Sequence, residues 1–398
     1  MKKPSKPLCP PRAKSASSSV SLASLMLPGL AALASLAPVI ASAENQPEKT
    51  TVAVKYSNYA DGQAGWDRIN VTAPALYIQA PIASDWSIEA SAVVDSVSGA
   101  SPRWHTQSTS ISGASRMSDE RSAGDVKITR YFARSAWSAS VATSTEHDYQ
   151  SNAVGLDARW STEDNNRTWT AGYGLSTDQI GHHLDPLDKQ KRTQEFMVGV
   201  TQVLSPGDIV QLNLTRSDGQ GYYDDPYKTM DKRPDQRSAW IGLARWNHYV
   251  EPADAALRTS YRYYSDTFGV QSHTLGVEWA QPLAQWTFTP GLRYYSQSAA
   301  SFYLDPILDA QGQYNQIAVM LRGLANGTSN QSTDQRLAAF GALTWSLKAA
   351  YAINVNTSVD VKYESYSQKA ALHLGDFGSP GLDDFHATFW QVGLTYRF

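Results

Sequence analysis

The sequence holds one cysteine, Cys9, and it stands ahead of the one long apolar stretch, which runs from Val20 to Ile40. Lys2, Lys3, Lys6, Arg12 and Lys14 form a basic start before that stretch, and Ala41-Ser42-Ala43 follows it. This is the order of a removable export signal with a small-residue cleavage site. The expectation is a signal peptide over 1–43 and a mature chain from Glu44 that carries no thiol. That excludes disulfides, Cys-ligated zinc, iron–sulfur clusters and haem attached through CxxCH. No residue pattern implies a cofactor.

Basic charge is scarce as well. Without the signal, 29 Lys+Arg face 37 Asp+Glu, a net charge of -8 against -3 for the whole sequence. Nucleic acid is not an expected partner, because phosphate binding needs a basic face. Nothing after residue 43 approaches the ~20 apolar residues of a spanning helix, and helical three-and-four spacing is almost missing.

What is present is alternation with a period of two, one apolar face and one polar, from Thr51 to the last residue. Sixteen segments are expected, at 51–60, 67–80, 85–97, 121–132, 136–148, 151–161, 167–179, 191–204, 207–218, 237–250, 254–267, 270–282, 285–298, 334–347, 354–367 and 386–398. Every second connection is short, such as PIASD (81–85), SPGD (205–208) and EPAD (251–254). Long polar loops are expected between them at 98–120, 180–190, 219–236, 299–333 and 368–385. Short turns alternating with long loops around an even number of antiparallel strands mark a transmembrane up-and-down β-barrel. The 44–398 stretch is therefore expected to form one all-β barrel domain.

Tryptophans agree with a lipid belt. Trp86, Trp137, Trp160, Trp169, Trp246, Trp279, Trp286 and Trp345 are expected on one rim, beside the short turns, as an interfacial girdle requires. The last nine residues, WQVGLTYRF, alternate Trp390, Val392, Leu394, Tyr396 and Phe398 with polar or small residues. They resemble the C-terminal strand of bacterial outer-membrane barrels, where Trp390, Tyr396 and Phe398 would carry an assembly signal. That resemblance implies the barrel-assembly machinery and outer-membrane lipid of a Gram-negative cell as partners, and the outer membrane as location.

The segments YRYYSDTFGVQSHTLGVEW (261–279) and RYYSQSAASFYLDP (293–306), preceded by SDERSAGDVKITRYF (118–132), are similar to a family of proteobacterial outer-membrane barrels classed only as a domain of unknown function. The resemblance covers nearly all the mature chain. It implies a barrel of this type and a periplasmic flavin-linked redox protein or lipoprotein as neighbour. It brings neither substrate nor catalytic residues, and no flavin-attachment feature is present here.

Chemistry in such a barrel belongs to the lumen. The inward set expected from hydrophobicity is mixed in sign and includes Lys55, Glu89, Asp95, Asp157, Arg159, Glu195 and Arg245. A tight turn at Phe268-Gly269 sets Arg262 opposite Leu275, and a turn at Pro282 to Gln285 sets Arg293 opposite Thr274. Two arginines then flank Thr274, with Arg258 lower and beside Glu278. A guanidinium is a permanent charge in a planar fork suited to carboxylates and phosphates, and a cluster can select anions. In the alternative, Arg258 pairs with Glu278 and Arg262 with Asp266 as wall structure.

Loop carboxylates form a second candidate, for a cation held by hard oxygens: Asp224 and Asp225 in YYDDPY, Asp383 and Asp384 in GLDDF, and also Asp185, Asp188, Asp305 and Asp309. Solvated turns account for them better, since the spacing does not match an EF-hand loop and Asp-Pro is common in turns. No histidine, including His182, His183, His248, His273, His373 and His386, sits in a GxSxG or HExxH frame. The expected function is a pore for small polar or anionic solutes. A non-conducting sleeve for a periplasmic partner stands as the alternative, with an enzyme behind both.

Overall fold

The computed structural model describes residues 45–63, 66–100, 116–182, 185–226, 228, 231–307, 315, 318, 321 and 329–398. The expected signal peptide, His183 and Asp309 lie outside them. Sixteen strands follow in chain order: β1 (Thr51–Gln63), β2 (Trp66–Ala83), β3 (Trp86–Ala100), β4 (Arg116–Tyr131), β5 (Ser135–Thr145), β6 (Tyr149–Ser161), β7 (Arg167–His182) and β8 (Asp185–Ser205). The second half comprises β9 (Asp208–Gly221), β10 (Gln236–Val250), β11 (Ala255–Asp266), β12 (Gln271–Leu283), β13 (Trp286–Gln297), β14 (Phe340–Ala352), β15 (Thr357–Lys369) and β16 (Phe385–Arg397). Each pairs antiparallel with its sequence neighbours, and β1 pairs with β16, so the sheet is a closed barrel. No strand edge is left for the hydrocarbon to meet, which is the condition a sheet must satisfy in lipid.

The alternation decides the faces. On β1, Val54 and Tyr56 are exposed on the outside while Ser57 and Ala53 are buried toward the interior. On β9, Leu212 and Leu214 are exposed, and on β16 Trp390, Val392, Leu394 and Tyr396 are. An apolar exterior in contact with lipid and a polar interior are the inverse of a soluble sandwich.

At the seam, Thr50 and Phe398 exchange backbone hydrogen bonds of 2.9 and 3.0 Å just beyond the Thr51↔Arg397 pair. The Phe398 ring stacks on Tyr396 at 5.5 Å and faces outward. Deleting Phe398 removes both bonds and the terminal ring at the point of closure. Insertion is expected to fall, measured as the yield of heat-modifiable protein in a pulse-chase experiment; normal yield would count against a role in assembly.

The structure corrects three expectations. The 180–190 loop is strand on both sides of residues 183–184, because β7 runs to His182 and β8 starts at Asp185. Polar residues occupy successive rungs here, Asp178 opposite Lys191 and Gln179 opposite Gln190, so the apolar alternation that marks the membrane segment fades before the pairing ends. The second correction concerns β14, which begins at Phe340 and not at 334: residues 334–339 are held in the long loops by hydrogen bonds described below. Finally, Trp345 sits in mid-strand on the lipid face against Tyr363 at 5.2 Å. The other seven tryptophans of the expected rim lie within four residues of a strand end at the short turns.

Candidate functional site

Strands β10 to β13 carry the candidate arginines toward the interior, and turn chemistry decides their register. The β11–β12 connection is a three-residue loop, Thr267-Phe268-Gly269, in which Asp266 N–H donates to Val270 O at 3.1 Å and Gly269 takes φ 87°. Three-residue hairpin loops favour glycine at such a left-handed position. Arg262 is therefore opposite Thr274, one residue from the expected partner Leu275. The β12–β13 connection is a two-residue turn, Ala284-Gln285, with Ala284 at φ 54° and Leu283 paired to Trp286. That places Arg293 opposite Gly276 and not opposite Thr274. The two arginines expected on either side of Thr274 thus sit on neighbouring rungs. Arg293 shares its rung with Arg245, through Gly276 and Ser260.

The pairing alternatives split. Arg258 lies 3.9 Å from Glu278, as expected for a pair across β11 and β12. Asp266 takes Arg237 at 2.6 Å and not Arg262, and the Tyr264 hydroxyl donates to the same carboxylate at 2.7 Å. Arg237 was missed by sequence reasoning, since its position at the start of β10 beside a long loop gives no sign of which face it takes. Arg262 lies over the Tyr264 ring at 5.4 Å, Arg245 donates to Gln211 at 3.4 Å, and Arg293 donates to Thr344 at 3.2 Å.

Elsewhere the wall charges pair locally. Lys127 meets Glu89 at 3.6 Å, Arg121 Nε donates to Asp95 at 2.7 Å, Lys348 meets Asp360 at 3.7 Å and Lys362 meets Glu364 at 2.8 Å. The balance on β10 to β13 is different. Below the Arg237–Asp266 pair these strands face the interior with four arginines, Arg245, Arg258, Arg262 and Arg293, and one acid, Glu278. The side chains of Arg258 and Glu278 are 37% and 45% exposed although they point into the barrel, so solvent reaches the lumen at that level.

Above the arginines, the long loops fold onto the inner wall. Inward-facing Tyr264 packs against Phe268, Val270, Phe302 and Leu337, and inward-facing Tyr295 against Ala338, Phe340 and Leu382. Gln297 Nε2 donates to the carbonyls of Arg336 and Ala338 at 3.0 and 2.7 Å, which ties the 298–339 loop to the end of β13. The described part of that loop therefore narrows the mouth over β11 to β14.

The loop carboxylates are consumed in holding this cap together. Asp334, fully buried, accepts from Lys228 at 2.9 Å, from Arg233 at 2.7 Å and from Arg336 Nε at 2.8 Å. Asp231 pairs with Arg233, and Asp225 with Arg336 at 2.5 Å. Burial pushes the Asp334 carboxyl up, but Arg336, Lys228 and Arg233 outweigh it and hold it well below the usual carboxylate range. Carboxylate oxygens of Asp225, Asp231 and Asp334 come within 4.8 Å of one another, close enough for a shared cation. Lys228, Arg233 and Arg336 already supply that positive charge. Of the expected metal candidates, Asp224 accepts from Lys232 Nζ at 2.9 Å and from the Arg233 N–H at 2.7 Å, and Asp384 pairs with Lys369 at 2.8 Å. Asp383, half-buried beside Leu382, stands on a separate loop from Asp224 and Asp225. The candidates do not converge on one centre. Asp334, which meets Asp225 and Asp231, was invisible in sequence because more than a hundred residues separate it from them.

A closed antiparallel sheet, apolar outside and polar inside, defines a transmembrane β-barrel. Residues 17–189 and 183–382 match the family described as "Protein of unknown function (DUF3570)", and the chain belongs to that family. No curated protein matches the sequence. Similar solved structures include the siderophore receptor PirA from Acinetobacter baumannii, with 8% identity and a TM-score of 0.44 over 83% of this chain and 54% of that one. CdiB from Acinetobacter baumannii has 9% identity and a TM-score of 0.48 over 87% of this chain and 60% of that one. OccK2 (OpdF) of Pseudomonas aeruginosa, solved in complex with glucuronate, has 8% identity and a TM-score of 0.44 over 88% of this chain and 98% of that one. The chain thus spans just over half the length of the first two. Likeness at these identities concerns the barrel and carries nothing about cargo.

Proposed function

We infer that the protein is an outer-membrane pore for small polar solutes, with a preference for anions. The carrying observation is the solvent-reached wall of β10 to β13, where Arg245, Arg258, Arg262 and Arg293 face one glutamate. A local excess of positive charge governs ion selectivity more than the net charge of the chain does. The folded loops above them narrow the entrance, so solutes pass close to this wall.

Reversing Arg262 and Arg293 to glutamate is expected to move permeability toward cations, measured as reversal potentials in asymmetric salt across planar bilayers. The effect should grow at low salt, because exposed charges are screened over about 10 Å at 0.1 M. Unchanged selectivity in a folded, conducting double variant would leave both arginines as wall structure. A barrel that passes no current would favour a sleeve for a periplasmic partner.

A further inference from the structure

Ser260 occupies a special place on the lumen wall. It faces inward on β11, with Arg258 and Arg262 two residues away on either side and Arg245 directly opposite on β10. On the β12 side stands Gly276, which has no side chain to cover the hydroxyl; a Cβ built there would come within 2.8 Å of Ser260 Oγ. The result is a serine hydroxyl with arginines at three neighbouring positions of the ladder and a glycine at the fourth. Arg258 has Glu278 at 3.9 Å. Among the described residues, no carboxylate lies within 4.0 Å of Arg245 or Arg262, although both are half-buried. Arg245 and Arg262 thus lack a contacting carboxylate, although Glu278 and Glu195 act on them from farther off.

We propose that this cradle binds a dianionic phosphoryl group, inorganic phosphate or a small phosphate ester, between Arg245 and Arg262 with the Ser260 hydroxyl donating to it. A phosphate dianion can engage both guanidinium groups that lack a contacting carboxylate, where a monocarboxylate brings one charge for the two. Its oxygens, spread in three dimensions, can accept from forks arriving along the strand and across it, whereas a carboxylate is planar and suits one fork. Gly276 gives the ligand its floor: a side chain there would occupy the space over Ser260. The inference rests on the lumen being open to solutes, as proposed above.

The test is equilibrium binding to the full barrel folded in detergent, by calorimetry and phosphorus NMR line broadening, with inorganic phosphate, glycerol phosphate and succinate as probes. Saturable phosphate binding that weakens with rising salt is expected, and tighter binding of glycerol phosphate would mark an ester as the ligand. Arg262→Gln should weaken it about tenfold, the loss expected for one charge-assisted hydrogen bond. Gly276→Leu changes no charge and should weaken binding at least as much, provided the variant remains heat-modifiable. Absence of saturable binding, equal affinity in both variants and wild type, or tighter binding of succinate than of phosphate would each overturn the proposal. Conductance of the same sample separates the two ideas: current without phosphate binding overturns this site alone, and phosphate binding without current overturns the pore alone.

Discussion

Asp334→Ala is expected to release the capping loops while the barrel stays folded, at a local cost of about 3–5 kcal/mol, the usual effect of removing one partner from a buried ion pair. Asp334 is fully buried and Lys228 is only 7% exposed, so Lys228 would be stranded out of water, while Arg233, 11% exposed, would keep Asp231 alone. Arg336, 62% exposed, can turn to solvent and should add little. The strands are held by their own ladder and do not depend on this cluster. Trypsin should then cleave after Lys228, Lys232 and Arg336 in protein that still shows heat-modifiable mobility. Protection equal to wild type would show that the apolar contacts of Phe268, Phe302 and Leu337 hold the cap unaided. Acid should mimic the variant only at extreme pH. A carboxyl whose folded pKa is depressed contributes stability above its unfolded value, about 3.9, and loses it as pH falls through the lower folded value. The cap is therefore expected to resist trypsin-like release, assayed with an acid protease, until well below about pH 4.

Leu212→Arg should cost about 2–4 kcal/mol of membrane stability, the value for a cation near the midplane on the lipid face. Leu212 lies near the middle of β9, 51% exposed on the outside, with Val200 and Ala244 as cross-strand partners. Its neighbour Asn213 faces the interior, where its amide stands over Gly199 and receives a 3.3 Å hydrogen bond from Gln211. Asn213→Arg places the same charge in water and should cost far less. Reversible urea unfolding from lipid vesicles gives both values, and equal losses would refute the assignment of the two faces.

The barrel was legible in the sequence because hydrophobic alternation is a local signal. Each strand carries its own record of which residues meet lipid, so strand number, order and faces follow without long-range information. Sixteen segments were expected and sixteen strands close the sheet, and the inward orientation of Arg245, Arg258, Arg262, Arg293 and Glu278 follows from the same parity. The Arg258–Glu278 pair was readable too, because its two residues face each other across a short hairpin.

Tertiary structure alone decided what the loops do and which arginines share a rung. Register depends on the number of residues in a turn, and one residue more in Thr267-Phe268-Gly269 moves every partner of β11 by one place. That shift put Ser260 and Gly276 between Arg245 and Arg293, an arrangement with no counterpart in sequence spacing. The cap depends on Asp225, Lys228, Asp231, Arg233, Asp334 and Arg336 meeting across two loops, and polar loop residues carry no periodicity from which such a meeting could be read. In a barrel the lipid constrains the outer half of each strand uniformly, so the sequence by itself determined the wall, whereas the mouth and the polar interior answer only to contacts between distant residues, which exist once the sheet has closed.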